Sequence, residues 1–185
     1  MRKLIVAKFI SLDGAIQASG GPDEDPSGEF RFGGWQVPYN DEAIGRAALD
    51  LFSQSFKLLL GRRTYDIWVV YWPRIRADSP SHPIAGPFNR VRKHVATHRP
   101  DTFDWQNSHA LAGDLANAVR ALKRQDGGYL LTHGSGDMVR QLLAAGLGGR
   151  ASTSDLSRQK GAKPHAPGAW RVVGERQRNI SNSAR

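Results

Sequence analysis

The chain has no cysteine among its 185 residues. That absence excludes disulfide scaffolds, thiolate metal sites, cysteine nucleophiles and iron–sulfur clusters together. No apolar run approaches the roughly 20 residues needed to cross a bilayer, so no membrane partner is expected. The opening, MRKLIVAKFI, starts with charge, but its apolar stretch is short for a signal peptide and Lys8 interrupts it. The expected setting is soluble and cytoplasmic. Gly-x-Ser-x-Gly is absent, so a hydrolase triad has no anchor. A Walker-type phosphate loop is absent as well. The six histidines (His82, His94, His98, His109, His133, His165) include no pair at metal-ligand spacing with a carboxylate nearby. No metal is expected, and five of the six read as surface or packing residues.

What is present in excess is positive charge, with 26 Lys+Arg against 17 Asp+Glu and a net charge of +9. Its placement decides its meaning. Residues 1–147 hold 18 basic and 15 acidic side chains, and residues 148–185 hold 8 and 2. The first stretch is therefore nearly balanced and the basicity belongs to the tail. This argues against nucleic acid as a partner of the domain. A basic tail that binds nucleic acid is the alternative function, and salt-sensitive binding lost on deleting 148–185 would mark it.

The length favours one domain with a sizeable core. Residues 2–10 read as a buried strand that ends at Ser11-Leu12-Asp13-Gly14. Residues 17–36 form a long Gly-, Pro- and Asp-rich loop anchored by Phe30, Phe32 and Trp35; such a loop is usually functional or disordered. Residues 40–54 predict a helix with Asn40 as N-cap. Residues 56–60 predict a strand stopped by Gly61, and Thr64 to Trp72 a helix closed by Pro73. Residues 74–90, with Pro80, Pro83 and Pro87, read as loop with a helical turn near Phe88. A strand at 92–97, a helix at 111–123, a strand at 129–132 and a helix at 137–145 follow.

Strand–helix alternation predicts an α/β fold, a sheet with parallel pairs and helices on its faces. Ligands in such sheets lie beyond the carboxyl ends of the strands. The turns at 11–14, 61–64, 97–99 and 134–136 all fall at predicted strand ends, and together they point to a binding crevice. Gly134-Ser135-Gly136 lets the backbone approach an anion at a helix N-terminus, or simply makes a tight turn. Gly61-Arg62-Arg63-Thr64 adds two guanidiniums suited to phosphate, or is a solvated basic turn with Thr64 as N-cap. Thr97-His98-Arg99 is a third phosphate-compatible strand end. Three such ends suit a ligand with several phosphates, such as a dinucleotide. Asp13 is a candidate for orienting substrate or relaying a proton; an Asp–Gly turn explains it equally. Trp35, Trp68, Trp72 and Trp105 read as core or loop anchors.

These residues resemble a known family. Ser11-Leu12-Asp13-Gly14, Gly61-Arg62-Arg63-Thr64-Tyr65, and His133-Gly134-Ser135-Gly136-Asp137 with the following Val139 to Leu147 look like the dihydrofolate-reductase-like proteins. More narrowly, they are similar to the group sharing the reductase domain of riboflavin biosynthesis, the RibD C-terminal domain. The resemblance covers about residues 1–147. It implies a three-layer fold, a mostly parallel central sheet flanked by helices, that binds NADPH and transfers a hydride to a small C=N or C=O substrate. It places Gly61, Arg62, Arg63 and Thr64 at the cofactor's phosphates. Thr97, His98 and Arg99 would lie by the adenosine end, and Gly134, Ser135, Gly136 and Asp137 at the pyrophosphate. Ser11, Asp13, Gly14 and Ile16 would lie near the nicotinamide and substrate, with Asp13 the catalytic candidate. No acidic residue of the helix at 40–54 matches a folate-reductase proton donor, so folate is not supported.

After Leu147 the chain departs from the family pattern. Residues 148–185 hold five Gly, two Pro and five Ser, with one apolar spot at Trp170-Arg171-Val172-Val173. This composition predicts a largely disordered basic tail and a domain that lacks its closing strands. Suitable codons for residues 148–158, read one base later, spell Val-Asp-Glu-Leu-Gln-Leu-Arg-Ile-Tyr-Pro-Val, a credible family strand. A frameshift near Leu147 is the resulting expectation, and the gene sequence tests it. An unpaired sheet edge would follow, and with it an inactive reductase as a further alternative. Whether two copies pair as a homodimer stays open.

Overall fold

The computed structural model describes residues 1–11, 14–99 and 103–148, and the backbone of 170–173. Its strands are β1 (Leu4–Phe9), β2 (Phe56–Gly61), β3 (Lys93–Ala96), β4 (Ser108–Ala110), β5 (Tyr129–Thr132) and β6 (Trp170–Val173). They form one sheet in the order β4-β3-β2-β5-β1-β6. Every pairing is parallel except that of β1 with β6. β2 and β5 are almost continuously apolar and buried along their length, as strands covered on both faces must be.

The helices are α1 (Glu42–Ser53), α2 (Arg62–Val69), α3 (His82–Arg90), α4 (Leu115–Arg124) and α5 (Gly136–Ala144). Four depart from the sequence reading. The cap of α1 is Asp41, not Asn40: its carboxylate accepts from the Ile44 amide at 2.8 Å, which satisfies one of the free first-turn N–H groups. α2 starts directly off β2 with Gly61 at its N-cap, so Thr64 lies inside the first turn rather than capping it. α3 occupies a stretch read as loop. Pro83 sits in its first turn, where no N–H is needed, and Pro87 falls inside it. α4 begins later than expected, where the Asp114 carboxylate accepts from the Asn117 amide at 2.9 Å.

Two short strands escaped the reading. β4 extends the sheet beside β3. β6 runs antiparallel along β1, pairing Val6 with Val173 and Phe9 with Trp170. The β1 edge expected to be bare is therefore covered, by the tail's one β-favouring spot. The remainder of the expected disordered tail lies outside the described residues.

The core divides by sheet face. One cluster is aromatic, with Phe52, Phe56, Tyr65, Phe88, Trp105 and Tyr129 among its buried members. The other is aliphatic, built from Leu4, Leu59, Val119, Leu122, Leu130, Met138, Leu142 and Leu147.

Candidate functional site

β2, β5 and β1 are neighbours and parallel, so their carboxyl ends lie side by side. The chain after β1 turns tightly: the Ser11 amide donates to the Ala15 carbonyl at 3.0 Å and the Ala15 amide to the Ser11 hydroxyl at 2.8 Å. Gly14 has φ +91°, which favours glycine there. Ser11 and Gly14 thus shape the turn. Asp13, with Leu12, lies outside the described residues.

The ends of β2 and β5 are locked to each other. The Gly61 amide donates to the Gly134 carbonyl at 2.9 Å. The Gly134–Ser135 peptide is cis. A Cβ on Gly61 would collide with the Ser135 hydroxyl and lie 2.7 Å from the Ser135 amide nitrogen. A Cβ on Gly134 would lie 2.8 Å from Thr64 Oγ1 and 3.1 Å from Lys8 Nζ, and one on Gly136 would lie 2.8 Å from Ile16 Cδ1. Three glycines thus let four segments converge: the end of β1 at Lys8, the chain at Ile16, the β2–α2 junction and the β5–α5 junction. α5 starts here with Ser135 at its N-cap and no side-chain cap. Its first-turn N–H groups are not used by a capping side chain, the arrangement an anion exploits.

These segments floor a cleft of about 1110 Å³, at the large end of small-molecule sites. Of the predicted residues, Ile16, Arg63, Thr64, Ser135, Gly136 and Asp137 line it. Gly61 and Gly134 stand directly behind that lining through the contacts above. Asp137 pairs with Arg140 one turn along α5.

The remaining basic residues are engaged with the protein itself. Arg62 donates to Asp66 at 2.7 Å and to the Arg99 carbonyl at 2.9 Å, and its guanidinium lies 5.6 Å from the Tyr65 ring centroid. Arg99 reaches the same Asp66 at 3.3 Å, and its amide donates to the Thr97 hydroxyl at 2.9 Å. Arg62, Thr97, His98 and Arg99 form a separate patch at the β3 end and do not line the cleft.

Arg63 crosses to the long loop, where it meets the Asp25 carboxylate and the Ser27 hydroxyl. The loop is ordered from within. The Trp35 indole donates to the Gln17 carbonyl at 2.8 Å, and the Gln17 amide to the Asp25 and Ser27 carbonyls at 2.9 and 2.7 Å. Burial pushes the Asp25 carboxyl up, but hydrogen bonds from Ser27 and Arg63 outweigh it and hold the group below its ordinary range. The loop's Ala18 to Asp25 form one wall of the cleft.

Another part of the lining is aromatic, and the sequence reading missed it. Trp68 stacks on Phe88 with centroids 5.1 Å apart, and His133 packs 5.2 Å from Trp68. Burial, reinforced by the Lys8 charge, pushes the His133 imidazole down to about 3, so it is neutral at pH 7. Lys8 was also missed. It lines the floor, and burial pulls its ammonium down while Glu24 and Asp25 pull it up. Its one sequence signal was a lysine breaking an apolar strand just before a turn.

A mostly parallel α/β sheet flanked by helices, with glycine turns and a cleft at the carboxyl ends of its strands, has the dihydrofolate-reductase-like architecture. Sequence comparison then gives the family. Residues 2–150 match the RibD C-terminal domain, and the chain belongs to that family. The match spans β1 to α5 and stops shortly after Leu147. Comparison with curated proteins finds no match.

Proposed function

We propose that this protein is an NADPH-dependent reductase that transfers a hydride to a small heterocyclic or carbonyl substrate. The observation that carries the reading is the convergence of Gly61, Gly134 and Gly136 on the uncapped start of α5 beneath the cleft. A pyrophosphate needs close backbone approach and free N–H groups, and both are present. Thr64 and Ser135 add hydroxyls on either side, and Arg63 adds a guanidinium at the rim once it leaves Asp25. The cofactor supplies the hydride chemistry when bound. The chain's own residues bind it, orient it and exclude water with the Trp68 and Phe88 wall. Ser11 and Gly14 stand at the nicotinamide and substrate end in this reading, and Asp13 is its catalytic candidate. In this reading residues 1–147, with β6 added along β1, form the cofactor-binding domain.

Thermal unfolding with NADPH, with NADH as control, tests the proposal. NADPH at a hundred times its Kd should add about 2.7 kcal/mol of stability, and NADH less. A melting temperature unmoved by saturating NADPH would sink it.

A further inference from the structure

Lys8 sits on the cleft floor with most of its side chain out of water. It makes no hydrogen bond and no ion pair with any described residue. Its Nζ lies over Gly134, where a Cβ would stand 3.1 Å from it and 2.8 Å from the Thr64 hydroxyl oxygen. Largely buried cations are normally paired, because desolvation of an unpaired charge is costly. Glu24 and Asp25 on the facing loop act on it through space, and Asp25 is itself bound to Arg63. A lysine held this way has its partner elsewhere, and the open cleft is where that partner enters.

We propose that Lys8 is a ligand-recognition residue, whose ammonium group, beside the Thr64 hydroxyl, receives an anionic oxygen of the molecule bound in the cleft. The proposal deepens the reductase reading and rests on it for the identity of the cofactor. Two sources share this chemistry: a phosphoryl oxygen of the dinucleotide, and a carboxylate on a planar substrate stacked against Trp68 and Phe88.

The test compares wild type, Lys8→Met and Lys8→Arg in the full chain. The readouts are the melting temperature without ligand and the Kd for inorganic pyrophosphate, for NADPH, and for benzoate with and without NADPH. Lys8→Met should melt at or above wild type, since an apolar isostere replaces a cation with no ion-pair partner among the described residues. It should bind the relevant anion about tenfold more weakly or worse, with Lys8→Arg retaining most of the affinity. A loss confined to pyrophosphate and NADPH assigns the oxygen to the cofactor; one confined to benzoate assigns it to the substrate. Lysine-dependent pyrophosphate binding without any NADPH binding by wild type would uphold Lys8 and overturn the nicotinamide reading instead. Equal affinity of wild type and Lys8→Met for all probes overturns the proposal. So does wild type binding none of them, or Lys8→Met melting well below wild type, which would make the lysine structural.

Discussion

The two faces of the sheet are built from different materials. On one, Leu4, Leu59, Val119, Leu130 and Leu142 close over one another beneath α4 and α5. On the other, Phe52 and Trp72 pack edge to face on Phe88, Trp68 stacks on it, and a cleft stays open beside them. Aliphatic side chains interdigitate and fill space. Large rings with few torsions hold a wall in place even where one side faces a cavity. On the proposed function, the aliphatic face serves stability and the aromatic face serves the ligand.

The sharpest way to break this comparison is to truncate one residue on each face. Leu142→Ala should cost about 2–5 kcal/mol in a denaturant titration while the Kd for NADPH of the folded fraction stays unchanged. Trp68→Ala, partly open to the cleft, should cost less stability and weaken ligand binding more. The same ranking on both readouts would remove the division of labour.

Next in size is the glycine junction. Gly61→Ala drives a Cβ onto Ser135 and should cost about 1–3 kcal/mol together with NADPH affinity. Gly86→Ala, in α3 with only ordinary contacts around it, should instead stabilise by about 0.5–1 kcal/mol and leave binding alone.

A further effect is set by pH. His133 is held neutral, its folded value pushed to about 3 from an ordinary 6.5. The unfolded chain takes up the proton first, so the contribution is complete above pH 6.5 and is lost as pH falls toward the folded value. Across that window stability should fall by about 1.4 kcal/mol per pH unit for this group. His94, pushed to about 4 mainly by burial, adds to the slope down to its own value. Denaturant midpoints against pH for wild type and His133→Gln measure it, and the variant should show the shallower slope.

The smallest effect lies at the rim. Asp137→Asn removes a carboxylate from the first turn of α5. It should cost no more than about 0.5 kcal/mol and tighten NADPH binding a few-fold, because the anion no longer meets a like charge.

The parts of the fold legible in the sequence were those with local cause. Gly61, Gly134 and the Ser11–Gly14 turn punctuate apolar runs, so the strand ends and the crevice between them could be placed. α4 and α5 carry their periodicity openly. α3 was hidden because Pro83 and Pro87 read as breakers, although one falls where a helix start tolerates it. β4 and β6 are too short for alternation to speak. The site was half legible for a different reason. Arg62 looked like a phosphate ligand, yet Asp66 one turn later neutralises it, a pairing that i,i+4 spacing could have signalled. Lys8, His133 and the aromatic wall depend on which strands and helices become neighbours, and no local pattern reports that. Genomic sequence across the Leu147 codon tests the proposed frameshift: the family strand in the shifted frame upholds it, and its absence ends it.

Amide hydrogen exchange with and without NADPH tests the central claim most directly. The account predicts added protection at residues 14–20, 61–64 and 133–137, where the loop wall and the glycine junction enclose the cleft, and none on the outer surface of α4. Protection centred on α4, or spread evenly over both faces, would contradict it.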